Sequence, residues 1–317
     1  MKKLTLTAMA AVAIVAAGAA GAETRVTLKS AKSTSSYYQM MVQLSETLKS
    51  GSKGALIATV EESQGSVQNV KEAAKRPGNY VFTTPPSLIA KALGGKKPFK
   101  ADAGYAEIRS LFSIPYLTMH WVVRADSGVE KLTDLAGKDF IPGGKGSFGQ
   151  RKTVSVFKAL GIADKVKMVN VELNAAVPAV KNRQVVGFAT AGSFPAPNVM
   201  EVAASTKIKL LGLSDADIKA IGKVSLVNIP AGTYPGVDTA VRTMTLPVGA
   251  YTTTRMDEAT AYAVTKTFWE QNATMAKTAA WWGGVTPDSI ASLGAKLHAG
   301  ALKYYAEAGI AVPAALK

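Results

Sequence analysis

The sequence of 317 residues contains no cysteine and only two histidines, His120 and His298. Without cysteine the chain has no disulfide framework, no thiol nucleophile and no thiolate ligand for zinc. Neither an HExxH pattern nor the spacing of an EF-hand calcium loop occurs in it. We therefore expect no metal, no cofactor and no redox role.

The usual signatures of catalysis are also missing. No serine lies in a GxSxG elbow, and only the two histidines offer an imidazole base for a serine nucleophile. His120 lies inside an apolar run, which is typical of a structural histidine. Gly144-Lys145 is followed by Gly146 and not by Ser or Thr, so there is no P-loop. We expect a protein that is not an enzyme, and a secreted hydrolase with an unrecognised Ser/Lys or Tyr arrangement stays open as an alternative.

Acidic residues are scarce relative to basic ones. The 22 Asp and Glu residues stand against 37 Lys and Arg residues, which gives a formal net charge of +15. No basic run is interleaved with aromatic residues, as a nucleic-acid-binding stripe would be, so we expect no nucleic-acid partner. A positive surface does steer small anions towards a protein over long range.

The N-terminus carries an apolar run that indicates targeting. Lys2 and Lys3 precede an apolar stretch over 4–17, and the small residues at 20–22 follow it. This order is that of a secretory signal peptide, and the stretch is shorter than the roughly 20 residues that span a bilayer. We predict a signal peptide over 1–22 and a soluble mature protein in the periplasm.

Short apolar runs alternate with helical patterns along the rest of the chain. This rhythm favours a mostly parallel α/β sheet that is covered on both faces. The predicted strands lie at 25–28, 55–60, 80–83, 108–114, 117–124, 139–141, 166–171, 185–190, 208–211 and 243–253. The two long helical segments near the C-terminus are predicted at 257–280 and 287–307.

Three predicted strands run into turns that are rich in serine and glycine, at 33–36, 64–66 and 143–147, and each turn opens a helical pattern. The first amides of a helix have no partner inside it, and the helix dipole makes that end partly positive. Each turn is therefore a candidate cradle for a carboxylate or a phosphate. The alternative is that the serines are ordinary N-caps, because serine is a preferred residue there.

The third turn also matches a dinucleotide fingerprint. Residues 144–149 fit GxGxxG between a predicted strand and a helix, and Glu172 lies near the place of a ribose-binding acid. Against this interpretation, the motif follows several other strands, and the signal peptide exports the chain away from the cytoplasm. The same geometry serves a carboxylate equally well.

Seven segments occur in an order that resembles the TAXI family of extracytoplasmic solute receptors of TRAP transporters. The resemblance covers essentially the whole mature chain, and its most specific elements are Ala-Gly-Thr-Tyr-Pro-Gly at 231–236 and Gly-Ala-x-x-Tyr-Tyr at 300–305. The seven segments are 35–38, 64–69, 122–128, 142–149, 190–192, 230–236 and 298–305.

The resemblance implies a type II periplasmic binding protein fold, with two α/β domains joined by a hinge of crossing strands. Domain I is predicted over 23–121 and 249–317 and domain II over 122–248, with closure near Val122 and Val248. A monomer of this kind would hold a small organic anion, a dicarboxylate or an acidic amino acid such as glutamate or 2-oxoglutarate. It would deliver the anion to TRAP transporter membrane subunits, and a ligand-presenting sensor subunit is the other alternative.

Candidate ligand contacts follow from the matching motifs and their neighbours. Phe148 stands where the family commonly has a small residue, and such a ring would narrow or reshape the pocket. Tyr234 adds a hydroxyl beside a polar turn. The full predicted set is Ser35, Tyr37, Gly65, Ser66, Val67, Thr83, Gly146, Ser147, Phe148, Ala191, Gly192 and Tyr234.

Overall fold

A computed structural model describes residues 23–76 and 78–317 of the chain. The predicted signal peptide over 1–22 lies outside these residues. The strands are β1 (Thr24–Lys29), β2 (Leu56–Glu61), β3 (Tyr80–Thr84), β4 (Ile108–Arg124), β5 (Asp139–Ile141), β6 (Lys167–Met168), β7 (Gly187–Gly192), β8 (Ile208–Leu210), β9 (Ser225–Ile229) and β10 (Val241–Thr253). The α-helices are α1 (Ser36–Gly51), α2 (Ser66–Ala73), α3 (Pro86–Leu93), α4 (Phe148–Ala159), α5 (Ala176–Lys181), α6 (Pro197–Ala203), α7 (Asp215–Ile221), α8 (Glu258–Thr278) and α9 (Ala299–Glu307).

The ten strands form one curled sheet, in which eight follow the order β2-β1-β3-β10-β4-β7-β5-β6, while β8 pairs with β4 and β9 pairs with β10. Strands β1, β2 and β3 are mutually parallel and make a first half-sheet, and β5, β6 and β7 make a second parallel half-sheet. The antiparallel pair β4 and β10 separates them, and we call these two the crossing strands. Strand β10 pairs with β3 near one end and with β9 near the other, so it belongs to both halves.

Helix α1 shows how the apolar pattern builds the first half. Its residues at a spacing of three and four lie on one face, and this face packs against β2 and α8. Burying each of these large side chains contributes about 1.5–3 kcal/mol. The predicted inner face is confirmed, since all five of its members are buried: Tyr37, Met40, Met41, Leu44 and Leu48.

The two apolar runs predicted as separate strands at 108–114 and 117–124 form the single strand β4. Pro115 would interrupt a regular ladder because it has no amide hydrogen to donate. The pairing shifts register here, from Leu117 opposite Leu246 to Ile114 opposite Val248, so the proline falls in an irregular stretch. A shift of this kind lets a long strand continue past a proline.

The helix predicted over 287–307 is divided. A 3-10 helix spans Pro287–Ser292, and α9 begins only at Ala299. Between them the chain leaves the helical conformation and forms a single bridge with the start of β4, where the Ser110 amide donates to Lys296 O and the His298 amide donates to Ser110 O. A long-range contact thus overrides the local helical pattern. Within 23–76 and 78–317, no helix has the length and apolarity to cross a membrane.

Candidate functional site

The three serine- and glycine-rich turns come together around one small cavity. They open helices α1, α2 and α4 at the carboxyl ends of β1, β2 and β5, as predicted. A Cβ atom built on Gly65 would lie 3.8 Å from Ser147 Cβ, so turns from the two half-sheets are neighbours. The cavity measures about 50 Å³, which holds a few water molecules. Seven of the predicted contacts line it: Ser35, Tyr37, Gly65, Ser66, Ser147, Phe148 and Ala191.

Two of the serines are N-caps, as the alternative interpretation expects. Ser35 Oγ accepts a hydrogen bond from the Tyr38 amide at 3.3 Å, and Ser147 Oγ accepts one from the Gln150 amide at 3.1 Å. Each cap accepts a hydrogen bond from one amide of its helix, and the two amides that precede this one are left without an acceptor. Among the described residues, the amides of Ser36, Tyr37, Phe148 and Gly149 have no partner.

Helix α2 begins without a side-chain cap, at Gly65. This glycine has φ 102° and ψ −164°, a conformation that residues with a Cβ rarely adopt. In the part of the chain that the structure describes, the amides of Ser66, Val67 and Gln68 have no partner. Three partly positive helix ends therefore face one cavity, and unpaired amides at such ends are suited to an anion.

Aromatic side chains wall the cavity. The Tyr37 hydroxyl donates to Pro115 O at 3.1 Å, so its proton is used within the protein. Burial raises the pKa of Tyr37 well above its ordinary value, which keeps the phenol neutral. The Phe148 ring lies at the start of α4 and faces the same space. Both residues are uncharged, so they define the shape of the cavity and add no charge to it.

Among the described residues that line the cavity, Lys32 is the one with a charged side chain. Its Nζ lies 3.4 Å from Glu172 Oε2, and Glu172 belongs to the second half-sheet's side of the cavity. Both side chains are partly exposed, and exposed pairs contribute about 0–1 kcal/mol. The sequence analysis did not select Lys32, since a single lysine beside a serine-rich turn carries no specific signal.

Five predicted contacts do not line the cavity. Val67 faces the core, Thr83 O accepts from Asn69 Nδ2, and the Gly146 amide donates to Gln150 Oε1. Gly192 packs against the Ser36 hydroxyl, where a Cβ would clash. The fifth is Tyr234, which is buried elsewhere.

Tyr234 is bound to His120 in the core beside the second half-sheet. His120 Nδ1 lies 3.1 Å from Thr118 O and therefore donates to it, which leaves Nε2 to accept from the Tyr234 hydroxyl at 2.8 Å. The same hydroxyl accepts from the Ala196 amide at 2.8 Å. Burial lowers the pKa of His120 to about 4, so the ring is neutral at pH 7. His120 is structural, as its apolar surroundings in the sequence predict.

His298 is the N-cap of α9, accepting from the Gly300 amide through Nδ1 at 3.2 Å. Its Nε2 donates to Met256 O at 2.9 Å. Both of its ring nitrogens are thus engaged with backbone groups. Neither histidine contacts a serine hydroxyl in the described residues, so the geometry offers no Ser-His pair. No cluster of metal ligands forms there either.

The dinucleotide motif is placed as its pattern predicts, after β5 and at the start of α4. The space in front of it, about 50 Å³, is far below the several hundred Å³ of sites for drug-sized ligands. Glu172 is paired with Lys32 across this space. The geometry therefore favours a small anion over a dinucleotide.

The chain is similar to several solved structures over most of its length. The periplasmic binding protein BugD has a TM-score of 0.58 and 12% identity, with 90% of this chain and 98% of that chain covered. The R. palustris protein Rpa4515 with adipate has a TM-score of 0.53 and 16% identity, covering 91% and 98%. A TRAP periplasmic solute-binding protein from Desulfovibrio salexigens, in complex with diglycerolphosphate, has a TM-score of 0.50 and 12% identity, covering 93% of each chain.

At these identities the likeness shows the fold. It confirms the predicted fold class, a type II periplasmic binding protein fold with two α/β domains. The model of the NMT1-like family matches residues 28–309, and the chain belongs to that family.

Proposed function

We propose that the chain is an extracytoplasmic solute receptor that binds a small organic anion in the cavity between the two half-sheets. The observation that carries this proposal is the set of unpartnered amides at three helix starts, contributed from both sides of one space. Amides fixed in a helix need no reorganisation to receive an anion, and the helix dipoles favour negative charge.

The proposed ligand class is a dicarboxylate or an acidic amino acid, such as glutamate or 2-oxoglutarate. The positive charge of Lys32 is neutralised by the carboxylate of Glu172, so the net positive potential at the cavity comes from the helix N-termini. The relatives of known structure that carry adipate and diglycerolphosphate hold anions in the same fold, which supports this class.

A cavity of about 50 Å³ suits a single carboxylate better than a whole six-carbon diacid. We expect the two domains, 23–121 with 249–317 and 122–248, to separate for entry and to close on the ligand. The irregular pairing of β4 and β10 between Ile114 and Leu117 is the proposed site of bending, because few ladder hydrogen bonds resist motion there.

We further propose that the receptor is a monomeric TAXI protein, exported by its signal peptide over 1–22, that serves the membrane subunits of a TRAP transporter. The NMT1-like family match and the likeness to a TRAP solute-binding protein support this partnership. A pull-down of the receptor with candidate membrane subunits, in the presence and absence of ligand, tests it.

Ligand binding is tested first by thermal unfolding of residues 23–317, after unfolding and refolding to remove any copurified ligand. Adipate, glutamate and 2-oxoglutarate are each added at millimolar concentration, with adipamide as the uncharged control. An anion present at 100 times its Kd stabilises the folded state by about 2.7 kcal/mol and raises Tm. A Tm that no anion moves would contradict the proposal.

The role of the amides is tested by a matched pair of variants at Ser66, the first residue of α2. Ser66→Pro removes one amide hydrogen at a position where proline fits a helix, whereas Ser66→Ala removes only the hydroxyl. A hydrogen bond to a charged group contributes about 1.5–3 kcal/mol, so we expect Ser66→Pro to weaken anion binding at least tenfold. Equal affinities for the two variants would show that this amide does not contact the ligand.

A further inference from the structure

A hydrogen bond joins the two sides of the cavity without involving its lining. Ser36 begins α1 between two residues that line the cavity, and Gly192 ends β7 one residue after the lining residue Ala191. The amide of Ser193, the next residue, donates to Ser36 Oγ at 3.0 Å. Helix α1 packs against β2 of the first half-sheet and β7 belongs to the second, so this bond connects the two halves.

Gly192 allows the two halves to approach closely at this point. A Cβ atom built on it would lie 2.4 Å from Ser36 Oγ but 3.5 Å from Ser36 Cβ, so the hydroxyl is the group that an alanine would meet. The φ angle of Gly192 is not positive, so its lack of a side chain serves the contact and not the backbone conformation. Ser36 is 1% exposed and Ser193 is 5% exposed, so the loss of one partner would leave the other buried and unpaired.

Both halves also reach the irregular stretch of β4 beside this contact. Ser193 Oγ donates to Tyr116 O at 2.6 Å, and the Tyr37 hydroxyl donates to Pro115 O at 3.1 Å. Pro115 and Tyr116 lie between the paired residues on the two sides of the register shift. Each half therefore holds one carbonyl at the proposed site of bending, and the bond between Ser36 and Ser193 connects the two segments that do so.

We propose that the bond from the Ser193 amide to Ser36 Oγ forms when the domains close on the ligand and that Ser36 and Gly192 are positioning residues that set the closed position. This inference rests on the proposed function. A hydrogen bond of 3.0 Å is lost when its atoms separate by about 1 Å, so movement of α1 away from β7 breaks it. Because Ser36 is the first residue of α1, the bond also fixes the unpartnered amides of this helix relative to the second half-sheet.

The first test is a double-mutant cycle between Ser36→Ala and Gly192→Ala, measured by titration calorimetry with adipate, glutamate and 2-oxoglutarate. Ser36→Ala removes the acceptor, and Gly192→Ala either holds the halves apart or turns the Ser36 hydroxyl away from the Ser193 amide. Since both changes cost the same bond, we expect each single variant and the double variant to bind about tenfold more weakly. Independent roles would multiply to a loss of about 100-fold in the double variant.

Two matched controls separate closure from general damage. Ser45 also lies in α1, but its hydroxyl donates to Ala58 O at 2.6 Å within the first half. A Cβ atom built on Gly283 would lie 3.9 Å from Ala276 Cβ, so an alanine finds room there. Ser45→Ala and Gly283→Ala should both keep the affinity for the anion within about twofold.

The second test measures closure directly. The chain has no cysteine, so Lys96→Cys and Lys158→Cys can carry spin labels at two exposed positions, one in each predicted domain. In an otherwise unmodified protein, the anion that binds should shorten the distance between the labels. In the Gly192→Ala background, a saturating amount of the same anion should leave a larger fraction of molecules at the longer distance. A merely structural role would lower stability and leave these distances unchanged.

The outcomes separate this inference from the proposed function. If the unmodified protein binds none of the three anions, the proposed function fails and the inference fails with it. If it binds one and the cycle is additive, or the label distances in Gly192→Ala match those of the unmodified protein, only the inference is overturned.

Thermal unfolding without ligand gives a further criterion. If Gly192→Ala lowers Tm or prevents folding and the added Ser36→Ala restores it, the contact exists before the ligand arrives, and its role in closure is overturned. Should no variant at Gly192 fold, Ser36→Ala decides by comparison with Ser45→Ala. A tenfold difference in affinity between these two supports the inference, and equal affinities overturn it.

Discussion

The two faces of the crossing strands differ in chemistry, although neighbouring residues of the same strand, β4, border both of them. On the front face, Leu117 borders the cavity of about 50 Å³ with its unpaired amides. On the rear face, its neighbours Tyr116 and Thr118 border a groove of about 480 Å³. Side chains alternate along a strand, so adjacent residues of β4 serve opposite faces.

The rear groove is walled by aromatic and aliphatic side chains, including Phe194 and Trp281. Tyr116 and Leu226, at its edge, are each 42% exposed. It is the larger space, yet among residues 23–76 and 78–317 its lining includes no N-terminus of an α-helix, whereas three such ends line the front cavity. The proposed anion site is thus distinguished from the rear groove by the chemistry of its donors and not by its volume.

The largest expected effect is a difference in the free energy of unfolding between substitutions at two adjacent residues of β4, one on each face. Leu117 is buried, so Leu117→Ala should lower the free energy of unfolding by about 2–5 kcal/mol. Tyr116→Ala, at the exposed rear position, should change it by no more than about 0.5 kcal/mol. Urea unfolding of both variants measures this, and equal losses would show that the rear groove is as tightly packed as the front.

The second prediction concerns pH. Because the folded-state pKa of His120 is about 4, against about 6.5 when unfolded, its contribution to stability is complete above pH 6.5 and is lost as the pH falls towards 4. The loss amounts to about 3 kcal/mol. His120→Gln should remove this part of the pH dependence of Tm without changing anion affinity at pH 7. An unchanged pH profile in the variant would contradict the assignment.

A smaller effect is expected at the helix caps of the front cavity. Ser147→Ala should cost about 1 kcal/mol of stability, because α4 loses its N-cap, and Ser147→Gly only a few tenths. Ser66→Ala is the control, since α2 has no side-chain cap to lose. Chemical denaturation distinguishes the three variants, and a cost at Ser66 equal to that at Ser147 would argue against capping.

The smallest effect is expected for the ion pair across the cavity. Lys32→Met and Glu172→Gln should show a coupling energy below about 1 kcal/mol in a double-mutant cycle, since both side chains are partly exposed. The coupling should decrease further in high salt. A salt-independent coupling of several kcal/mol would mean that the pair is shielded from water and holds the two sides together.

The sequence patterns correctly predicted those elements whose formation depends mainly on residues close together in the sequence. The buried face of α1 and the three turns before α1, α2 and α4 follow from spacing, caps and glycines in the sequence. Strand β9 was not predicted, because four of its five residues are at least partly exposed and it forms only by pairing with β10.

The lining of the cavity was only partly predictable, because some of its residues are distant from one another in the sequence. The turns are local, but Leu173 lies far from each of them in the sequence and reaches the cavity only through the tertiary fold. Tyr234 has the polar neighbours of a ligand contact in the sequence, yet His120, more than 100 residues away, binds its hydroxyl in the core. Only the tertiary fold reveals such a partner.

Pro115 and Pro247 face the irregular stretch of the crossing strands, and neither carries an amide hydrogen. Flexing the sheet at this point therefore sacrifices almost no backbone hydrogen bonding. In the proposed receptor, the balance between a separated and a closed molecule would then depend on the side chains on either side of the strands, so individual substitutions there could change the rate of ligand release while the strands stay intact.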